Sequence, residues 1–516
     1  MERMREWIKT AIALCMNLSE NETENRSEFE NLEKSYQYFS EKERKGIVEI
    51  IKSELNPDDI VYVLSCFNFY TEIEDFRREI VGSILQREYG YYIGSMLDVQ
   101  IRRNQLGSFT ERRQLHRKNV DSLSELLWMQ YNYVPQERRN HNRIVIITEQ
   151  ILGPLHSPTR IVMDFAHVLQ EDLGYEVILF ACPCDGALPP NLWYLPEGEK
   201  SFEQFKGLPI RLEYNEAIFK GYQINMGGAT SLKEYGMMLD LIYAWNPFFV
   251  LGIGVDNAVA DLPKQFTTVV NIGMTINCPV SEAQLLLRFE RNTKELELEY
   301  TKALQKSQKQ LFVQDRFPLL MKEAEKQYTR EELGLPENDF LIAVVGNRLD
   351  IEIDREFAFV VQQILENNSN TDFLFIGKVE TANHFFQKEI FLDRVYYLGS
   401  CNDLAGVYSV VDLYMNPKRL GGGVSSAMAL REGVPVVTLP DCDVSSITGE
   451  GFVVQSYEEM KQLAYRYIED KEFYSKMCEK AKSKVYNEGE FPRFVKKVTE
   501  QIIQVITGEA GENDSI

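Results

Sequence analysis

The sequence has no uninterrupted apolar run that approaches the roughly 18–20 residues needed for a membrane-spanning helix. Its first residues carry charges and are followed by no small-residue cleavage site, so we expect no secretory signal peptide. Hydrophobic residues make up 44% and charged residues 26% of the chain, which is the composition of a globular protein. These features argue against an integral membrane protein and predict a cytoplasmic location.

The sequence also lacks an excess of positive charge and any cluster of cysteines. The formal net charge is −22, whereas a nucleic-acid-binding surface needs an excess of Lys and Arg on one face. The eight cysteines are scattered, and the close pair Cys182 and Cys184 has a single residue between its members, which is the wrong spacing for zinc ligands. We expect reduced, mostly structural thiols, no metal site and no nucleic-acid partner, while one local basic pocket is compatible with the charge.

The length of 516 residues predicts two or three domains, since single hydrophobic cores stop growing near roughly 250–300 residues. Apolar residues at helix spacing and few β-branched runs predict an all-α region over residues 1–140. Strand-like and helix-like segments alternate over residues 141–330 and again over residues 331–506, and a polar tail covers residues 507–516. The predicted fold class is α/β, with two Rossmann-like parallel-sheet domains after an all-α N-terminal region.

The first alternation begins with the strand "RIVIIT" and a helix over residues 157–174. Its other strand candidates are "YEVILF", "PFFVLG", "FTTVVN" and "KQLFVQ". The second alternation has the strands "FLIAVVG", "DFLFIG", "RVYYLG", "VDLYMN" and "VPVVTL", with helices over residues 354–367 and 403–410. Residues 452–506 are predicted to be helical.

The stretch "MNPKRLGGG" lies between the strand "VDLYM" and a short helix. Ligands of open parallel sheets bind beyond the carboxyl ends of the strands. Gly421, Gly422 and Gly423 would let main-chain amides approach an anion at the helix N-terminus, and the neighbouring Lys418 and Arg419 would add charge-assisted hydrogen bonds to phosphate. The stretch therefore predicts a phosphate-binding loop; the alternative is a tight strand-to-helix turn with two solvated cations. It is neither a P-loop nor a dinucleotide fingerprint, because it lacks both GxxxxGK(S/T) and GxGxxG.

Two tandem Rossmann-like halves resemble a GT-B glycosyltransferase, with "LGLPENDFLIAVVGNRLD" opening the second half and "YLGSCNDLAGVYSVVDLYMNPKRLGGGVSSAMALREGVPVVTL" closing it. The resemblance covers roughly residues 143–506 and is strongest over residues 333–440. It implies two domains that face a cleft. The C-terminal domain would hold a nucleotide-diphosphate sugar, with a UDP-sugar favoured, and the N-terminal domain would present the acceptor.

The resemblance also implies roles for individual residues. Arg348 in "GNRLD" matches the basic residue that faces the diphosphate, with Asn347 beside it, and Lys378 ends the next strand at a comparable height. The glycine run with Ser425 and Ser426 matches the phosphate-facing loop and helix start. The implied donor-binding set is Asn347, Arg348, Lys378, Lys418, Arg419, Gly421, Gly422, Gly423, Ser425 and Ser426.

Two departures from the family pattern are visible. Retaining members of the largest GT-B family carry a Glu-x7-Glu at this loop and helix, and these two positions are Leu420 and Met428 here. The lysine often found six residues after the arginine that matches Arg348 is also absent. The resemblance therefore shifts to carboxylate-free relatives such as O-GlcNAc transferase and the bacterial cytoplasmic protein glycosyltransferases, which act with inversion.

Protein cations can stabilise the negative charge that builds on a leaving diphosphate, so we expect metal-independent transfer. The "DCD" at residues 441–443 is interpreted as a loop cap or a ribose-side contact rather than a metal site. An inverting transfer also needs a base, and His156 in "GPLHSPTR" is the candidate because it follows the first strand. A cap or solvent contact is the alternative for His156. Glu149 and Asp256 compete for the role of base, and Asp256 could instead bind the acceptor.

The residues predicted to take part in the reaction are thus His156, Arg348 and Lys378. The helical region is interpreted as a packing or homo-oligomerisation module, with acceptor binding as the alternative. We expect a glycosyltransferase that uses a nucleotide-diphosphate sugar and acts on a protein or peptide, or alternatively on a glycan. The rival hypotheses are a catalytically silent GT-B subunit that binds a partner transferase or, as a chaperone, an unfolded acceptor, and a nucleotide-sugar epimerase of the same fold.

Overall fold

A computed structural model of the protein describes residues 2–19, 22–71, 73–76, 78–79, 107–149, 151, 157–182, 209–223, 228–254, 258–275, 277–289, 292–313, 323–379, 385–386, 388–419, 421–484 and 491–508. The chain divides into two compact units, and each is described by itself. Unit 1 comprises Met1–Gln314 with Val495–Ile516, and unit 2 comprises Asp315–Phe494.

Unit 1 begins with four helices that share one core. The indole of Trp7 lies at the centre of this core, and four other rings have centroids within 6.4 Å of it, those of Tyr36, Phe39, Phe67 and Phe76. A local signal fixes one helix start, where Ser40 and Glu43 cap each other's main-chain amides. Over the described residues, the helices confirm that the N-terminal region is helical, and their bounds are Glu2–Met16, Glu22–Tyr36, Glu41–Glu54 and Pro57–Tyr70.

A further helix, Phe109–Leu126, joins this helical core to the first sheet. Its Leu115 packs with the four helices, whereas other apolar side chains of the helix lie in the core of the sheet, namely Phe109, Val120 and Leu123. A buried hydrogen bond strengthens the attachment, because His116 Nε2 lies 2.6 Å from Asp261 Oδ2. The helical region and the first sheet are therefore packed as one unit.

The first sheet has eight strands: β1 Asn140–Thr148, β2 Glu176–Ala181, β3 Pro209–Tyr214, β4 Ala217–Gln223, β5 Pro247–Ile253, β6 Thr268–Ile272, β7 Leu285–Arg288 and β8 Lys309–Phe312. Their order is β3-β4-β2-β1-β5-β6-β7-β8, and every pair is parallel except β3 with β4. The five predicted strands are confirmed at β1, β2, β5, β6 and β8.

The sequence patterns missed β3, β4 and β7. The β3–β4 hairpin turns through Asn215 and Glu216, whose φ angles of 46° and 67° are both left-handed, as a tight hairpin turn requires. No glycine marks this turn, so its signal in the sequence is weak. Strand β7 has only four residues.

The helices around the first sheet include the predicted one after β1, which is α-helical to His167 and continues as a wider π turn over Val168–Asp172. Gly174, with φ of 74°, ends it as predicted. The other helices of this part are Gly228–Trp245, Ala258–Asp261 and Lys294–Ala303.

The second sheet lies in unit 2 and has five parallel strands: β9 Phe340–Val345, β10 Thr371–Ile376, β11 Val395–Gly399, β12 Leu413–Met415 and β13 Val436–Val437. Their order is β11-β10-β9-β12-β13, and all five were predicted. The helices are Leu349–Glu352, Arg355–Asn367, Glu389–Leu392, Leu404–Val407, Gly423–Arg431, Asp443–Thr448, Tyr457–Glu469 and Lys471–Lys482.

The last helix, Phe491–Thr507, starts in unit 2 and continues in unit 1. Its apolar stripe is buried at Phe494, Val495, Val498 and Ile502. Among the helices of the described residues, none is long and apolar enough to cross a membrane.

Candidate functional site

The carboxyl edge of the second sheet gathers the predicted site residues of unit 2. Strand β9 leads into "GNR", β10 into "GK" and β12 into "NPKRLGGG". The chain builds β9, β10 and β11 towards one side and then returns to add β12 on the other side of β9. The switch point, where open α/β sheets bind ligands, therefore lies between β9 and β12.

Arg419 lies at this switch point and bridges the two strands. Its Nη2 donates to the carbonyl oxygen of Val345 at 2.5 Å, and its Nε donates to Asn416 Oδ1 at 2.8 Å. The same Nη2 donates to the Tyr414 hydroxyl at 2.8 Å, and Nη1 donates to Glu352 Oε2 at 2.6 Å. Burial opposes the charge, but Tyr414 and Glu352 more than offset this and raise the pKa of Arg419 above its ordinary value.

The position of Arg419 differs from what the sequence suggested. We expected it to project from the loop towards phosphate, yet its side chain is 5% exposed and each of its nitrogens donates to protein oxygen. Nothing in a run of residues such as Lys418-Arg419 distinguishes an exposed cation from a buried one. In this structure the Arg419 side chain is buried beneath the loop and stabilises it through hydrogen bonds to other protein groups.

Glycines make room for this arrangement. A side chain at Gly346 would collide with Arg419 Nη1, and one at Gly422 would come within 2.7 Å of Arg419 Nη2. A side chain at Gly377 would overlap the carbonyl oxygen of Gly346. The glycines that end β9 and β10 therefore bring these strand ends together above the guanidinium.

The helix Gly423–Arg431 starts at the end of the glycine run. Gly422 is its N-cap, with φ of 102°, and no side chain caps the helix. The first intrahelical hydrogen bond runs from the Ser426 amide to the Gly422 carbonyl at 3.0 Å. For the three preceding amides, those of Gly423, Val424 and Ser425, no acceptor is found among the described residues. Such amides at a helix N-terminus attract anions.

Hydroxyl groups connect the buried arginine to this helix start. The Tyr414 hydroxyl, which accepts from Arg419, lies 3.1 Å from Ser425 Oγ, and Ser425 Oγ donates to the Gly422 carbonyl at 2.9 Å. Ser426 is buried and its hydroxyl donates to the Gly423 carbonyl at 2.8 Å. Both serine hydroxyls thus stabilise the first turn.

Three cations at the edge are exposed: Arg348, Lys378 and Lys418. Arg348, 57% exposed, donates from Nη2 to Glu352 Oε1 at 3.2 Å, so Glu352 contacts both arginines of the site. Asn347 beside it is exposed as well. The main-chain amide of Lys418 donates to the Tyr457 hydroxyl at 3.0 Å. Exposed cations after β9, β10 and β12, together with the uncapped helix N-terminus that follows β12, are the kind of groups that bind a polyanion such as a diphosphate.

The acidic stretch "DCD" has a structural role. Cys442 Sγ accepts the Ser445 amide at 3.4 Å and caps the helix Asp443–Thr448, of which Asp443 is the first residue. Within the described part of the chain, no group of three or more His, Cys, Asp or Glu side chains could hold a metal ion.

The candidate bases belong to the other unit. Glu149 directly follows β1 and is partly exposed. His156 and Asp256 lie outside the described residues, as does Leu420. Met428, at the second family carboxylate position, is 7% exposed and packs in the core of unit 2.

Sequence reasoning missed Glu352, Tyr414 and Tyr457. Glu352 had a local signal, because it lies four residues after Arg348, the spacing at which helix side chains meet. Tyr457 is 39 residues from Lys418, and no local pattern connects them.

Two Rossmann-like parallel-sheet domains are the architecture of the GT-B fold, and in this chain a helical region precedes them. No family model and no curated protein matches the sequence. Among solved structures, a mutant O-GlcNAc transferase from Thermobaculum terrenum aligns over 98% of this chain and 99% of its own, with a TM-score of 0.59 and 12% identity. A glycosyltransferase from Rickettsia africae aligns over 72% of this chain and 100% of its own, with a TM-score of 0.47 and 14% identity. HepE from Anabaena, in complex with UDP and glucose, aligns over 70% of this chain and 99% of its own, with a TM-score of 0.45 and 13% identity.

Proposed function

We propose that the protein is a glycosyltransferase that transfers a sugar from a UDP-sugar to a protein or peptide. The observation that supports this most is the carboxyl edge of the second sheet, where β9, β10 and β12 each lead into an exposed cation and an uncapped helix N-terminus follows β12. The choice of UDP as the nucleotide follows from the resemblance of the sequence to GT-B enzymes.

The diphosphate is the part of the donor that this edge would bind. Breaking the bond between the anomeric carbon and the phosphate oxygen leaves negative charge on the departing diphosphate. The side chains of Arg348, Lys378 and Lys418 and the amides at the start of Gly423–Arg431 would accept that charge. Arg419 would contribute indirectly, because its donors are engaged by Val345, Asn416, Tyr414 and Glu352.

We propose transfer with inversion and without a metal. The family carboxylate positions hold Leu420 and Met428, so the donor side has no acid at these places to support a retained configuration. His156 is proposed as the base that takes the acceptor proton, with Glu149 and Asp256 as competitors. The His156→Ala variant should then lower turnover by roughly 10²–10⁴-fold and leave UDP affinity unchanged.

The protein or peptide acceptor is proposed from the helical region. An O-GlcNAc transferase shares the fold over 98% of this chain, a span that includes the helices before β1. Those helices pack with the first sheet as one unit through the helix Phe109–Leu126, and in this proposal they would extend the acceptor-binding domain. A cytoplasmic location is proposed from the sequence, whose cysteines are scattered along the chain.

A screen of nucleotide sugars tests this function. The full-length protein is incubated with UDP-, GDP- and dTDP-sugars, and release of the nucleoside diphosphate is followed with and without a peptide library. We expect release from a UDP-sugar, and an anomerically inverted product by NMR. Binding of UDP without release from any sugar, even with the peptides, would favour a silent partner subunit. A product with the configuration of the donor would refute inversion.

A further inference from the structure

The main chain of Lys418 is held by a side chain from a distant helix. The Tyr457 hydroxyl accepts the Lys418 amide at 3.0 Å and donates to Asp354 Oδ2 at 3.1 Å. The other oxygen of Asp354 accepts the Phe357 amide at 2.7 Å and caps the helix Arg355–Asn367. One phenol thus ties the loop after β12 to the start of the first long helix after β9.

Lys418 is the exposed point of a short segment whose neighbours are buried. Asn416 is anchored because its amide donates to the Val437 carbonyl at 2.9 Å, and Arg419 is anchored by its guanidinium. Pro417 has no amide hydrogen to donate. Among the described residues, the hydrogen bond to Tyr457 is therefore the contact that holds the Lys418 amide itself.

The side chain of Tyr457 is held in place and can keep both hydrogen bonds. It is half-buried, and its ring packs against that of Phe357, with the ring centroids 5.8 Å apart. Burial, and next the negative charge of Asp354, raise the pKa of Tyr457 above its ordinary value, so the hydroxyl keeps its proton and donates at every physiological pH.

We propose that Tyr457 is a positioning residue of the donor site, which fixes the Lys418 main chain so that its ammonium group is presented to the diphosphate. This inference rests on the proposed function for the identity of the ligand. Tyr457 itself contacts the protein, and its effect on the ligand is exerted through Lys418.

Tyr474 offers a matched control. Its hydroxyl donates to Asp412 Oδ1 at 3.3 Å, and Asp412 directly precedes β12. Tyr457→Phe and Tyr474→Phe thus each remove one phenol–carboxylate bond, the first at the carboxyl end of β12 and the second at its amino end. A purely structural role predicts similar consequences for both variants.

Two measurements on the protein distinguish a positioning role of Tyr457 from a purely structural one. Hydrogen–deuterium exchange of residues 416–422 should be at least about fivefold faster in Tyr457→Phe and unchanged in Tyr474→Phe, since one hydrogen bond of ordinary strength is lost. Calorimetry with UDP should show an affinity about fivefold weaker in Tyr457→Phe and unchanged in Tyr474→Phe. Unchanged exchange and affinity in Tyr457→Phe, or equal effects of the two variants, would overturn the inference.

A double-mutant cycle measures the coupling between Tyr457 and Lys418 in UDP binding, which a general loss of stability would not produce. If Tyr457 acts through Lys418, then Lys418→Ala should weaken UDP binding less in the Tyr457→Phe background than in the wild type. Fully additive effects would refute the positioning role. Wild-type protein that binds no UDP would overturn the proposed function, while the exchange measurement would still decide whether Tyr457 anchors the loop.

Discussion

Glu352 Oε2 lies 2.6 Å from Arg419 Nη1, in an ion pair whose two side chains are 10% and 5% exposed. The second oxygen of Glu352 accepts from the exposed Arg348 at 3.2 Å. One carboxylate therefore balances the buried charge at the switch point and also holds the exposed arginine that we assign to the diphosphate. Glu352 thus connects the buried guanidinium of Arg419 to the exposed guanidinium of Arg348.

The buried pair should be essential for stability. Replacing Glu352 with Gln, or Arg419 with Ala, should lower the free energy of unfolding by about 3 kcal/mol, because each change removes the buried charge partner of the other side chain. Arg348→Ala, which removes an exposed charge, should cost less than about 1 kcal/mol. Chemical denaturation followed by circular dichroism measures the difference. An Arg419→Ala variant of normal stability that fails to bind UDP would instead place Arg419 in contact with the ligand.

Neighbouring glycines of the loop should respond differently to substitution. Gly422 has a left-handed φ of 102° and no room for a methyl group, so Gly422→Ala should destabilise the loop by about 1–3 kcal/mol and weaken UDP binding at least fivefold. Gly421 faces open space, and Gly421→Ala should stay within about 0.5 kcal/mol of the wild type. Calorimetry with UDP and thermal unfolding compare the two. Equal behaviour would show that the glycine run has no special conformation.

Sugar transfer should survive removal of divalent metal. The charge of the leaving diphosphate is assigned to protein cations and helix amides, so excess EDTA should leave the rate of UDP release within about twofold. The assay compares release before chelation, after chelation and after addition of Mg²⁺ or Mn²⁺. Loss of activity that either metal restores would contradict this assignment and return attention to the stretch that contains Asp441 and Asp443.

Asp372 should make the stability of unit 2 depend on pH. Burial, and next the neighbouring Asp339, raise the pKa of Asp372 to about 6, above the roughly 3.9 of an unfolded chain. The folded state therefore binds this proton more tightly, and its stabilising effect is complete below about pH 4 and lost as pH rises through 6. Asp372→Asn should be more stable than the wild type at pH 8, by roughly 1 kcal/mol, and no more stable at pH 4. Thermal unfolding at both pH values checks this; lower stability of the variant at pH 8 would contradict it.

The strands of unit 2 were predictable because each is a short apolar run buried on both faces, as "FLIAVV" and "TDFLFI" show. The same patterns located the basic glycine loop at the carboxyl edge of the sheet. They could not show that Lys418 is exposed and Arg419 buried, since the partners of Arg419 at Val345 and Glu352 are 74 and 67 residues away. The role of Tyr457 depends equally on tertiary contact.

The central claim is that the carboxyl edge of the second sheet binds the diphosphate of a UDP-sugar. The most direct test is calorimetry of UDP and of uridine, which lacks the phosphates, with the wild type and with the triple variant Arg348→Ala, Lys378→Ala, Lys418→Ala. The account predicts that the wild type binds UDP at least about 100-fold more tightly than uridine, and that the triple variant loses most of this difference. Equal affinities for UDP and uridine in the wild type, or UDP binding that the triple variant retains in full, would contradict it.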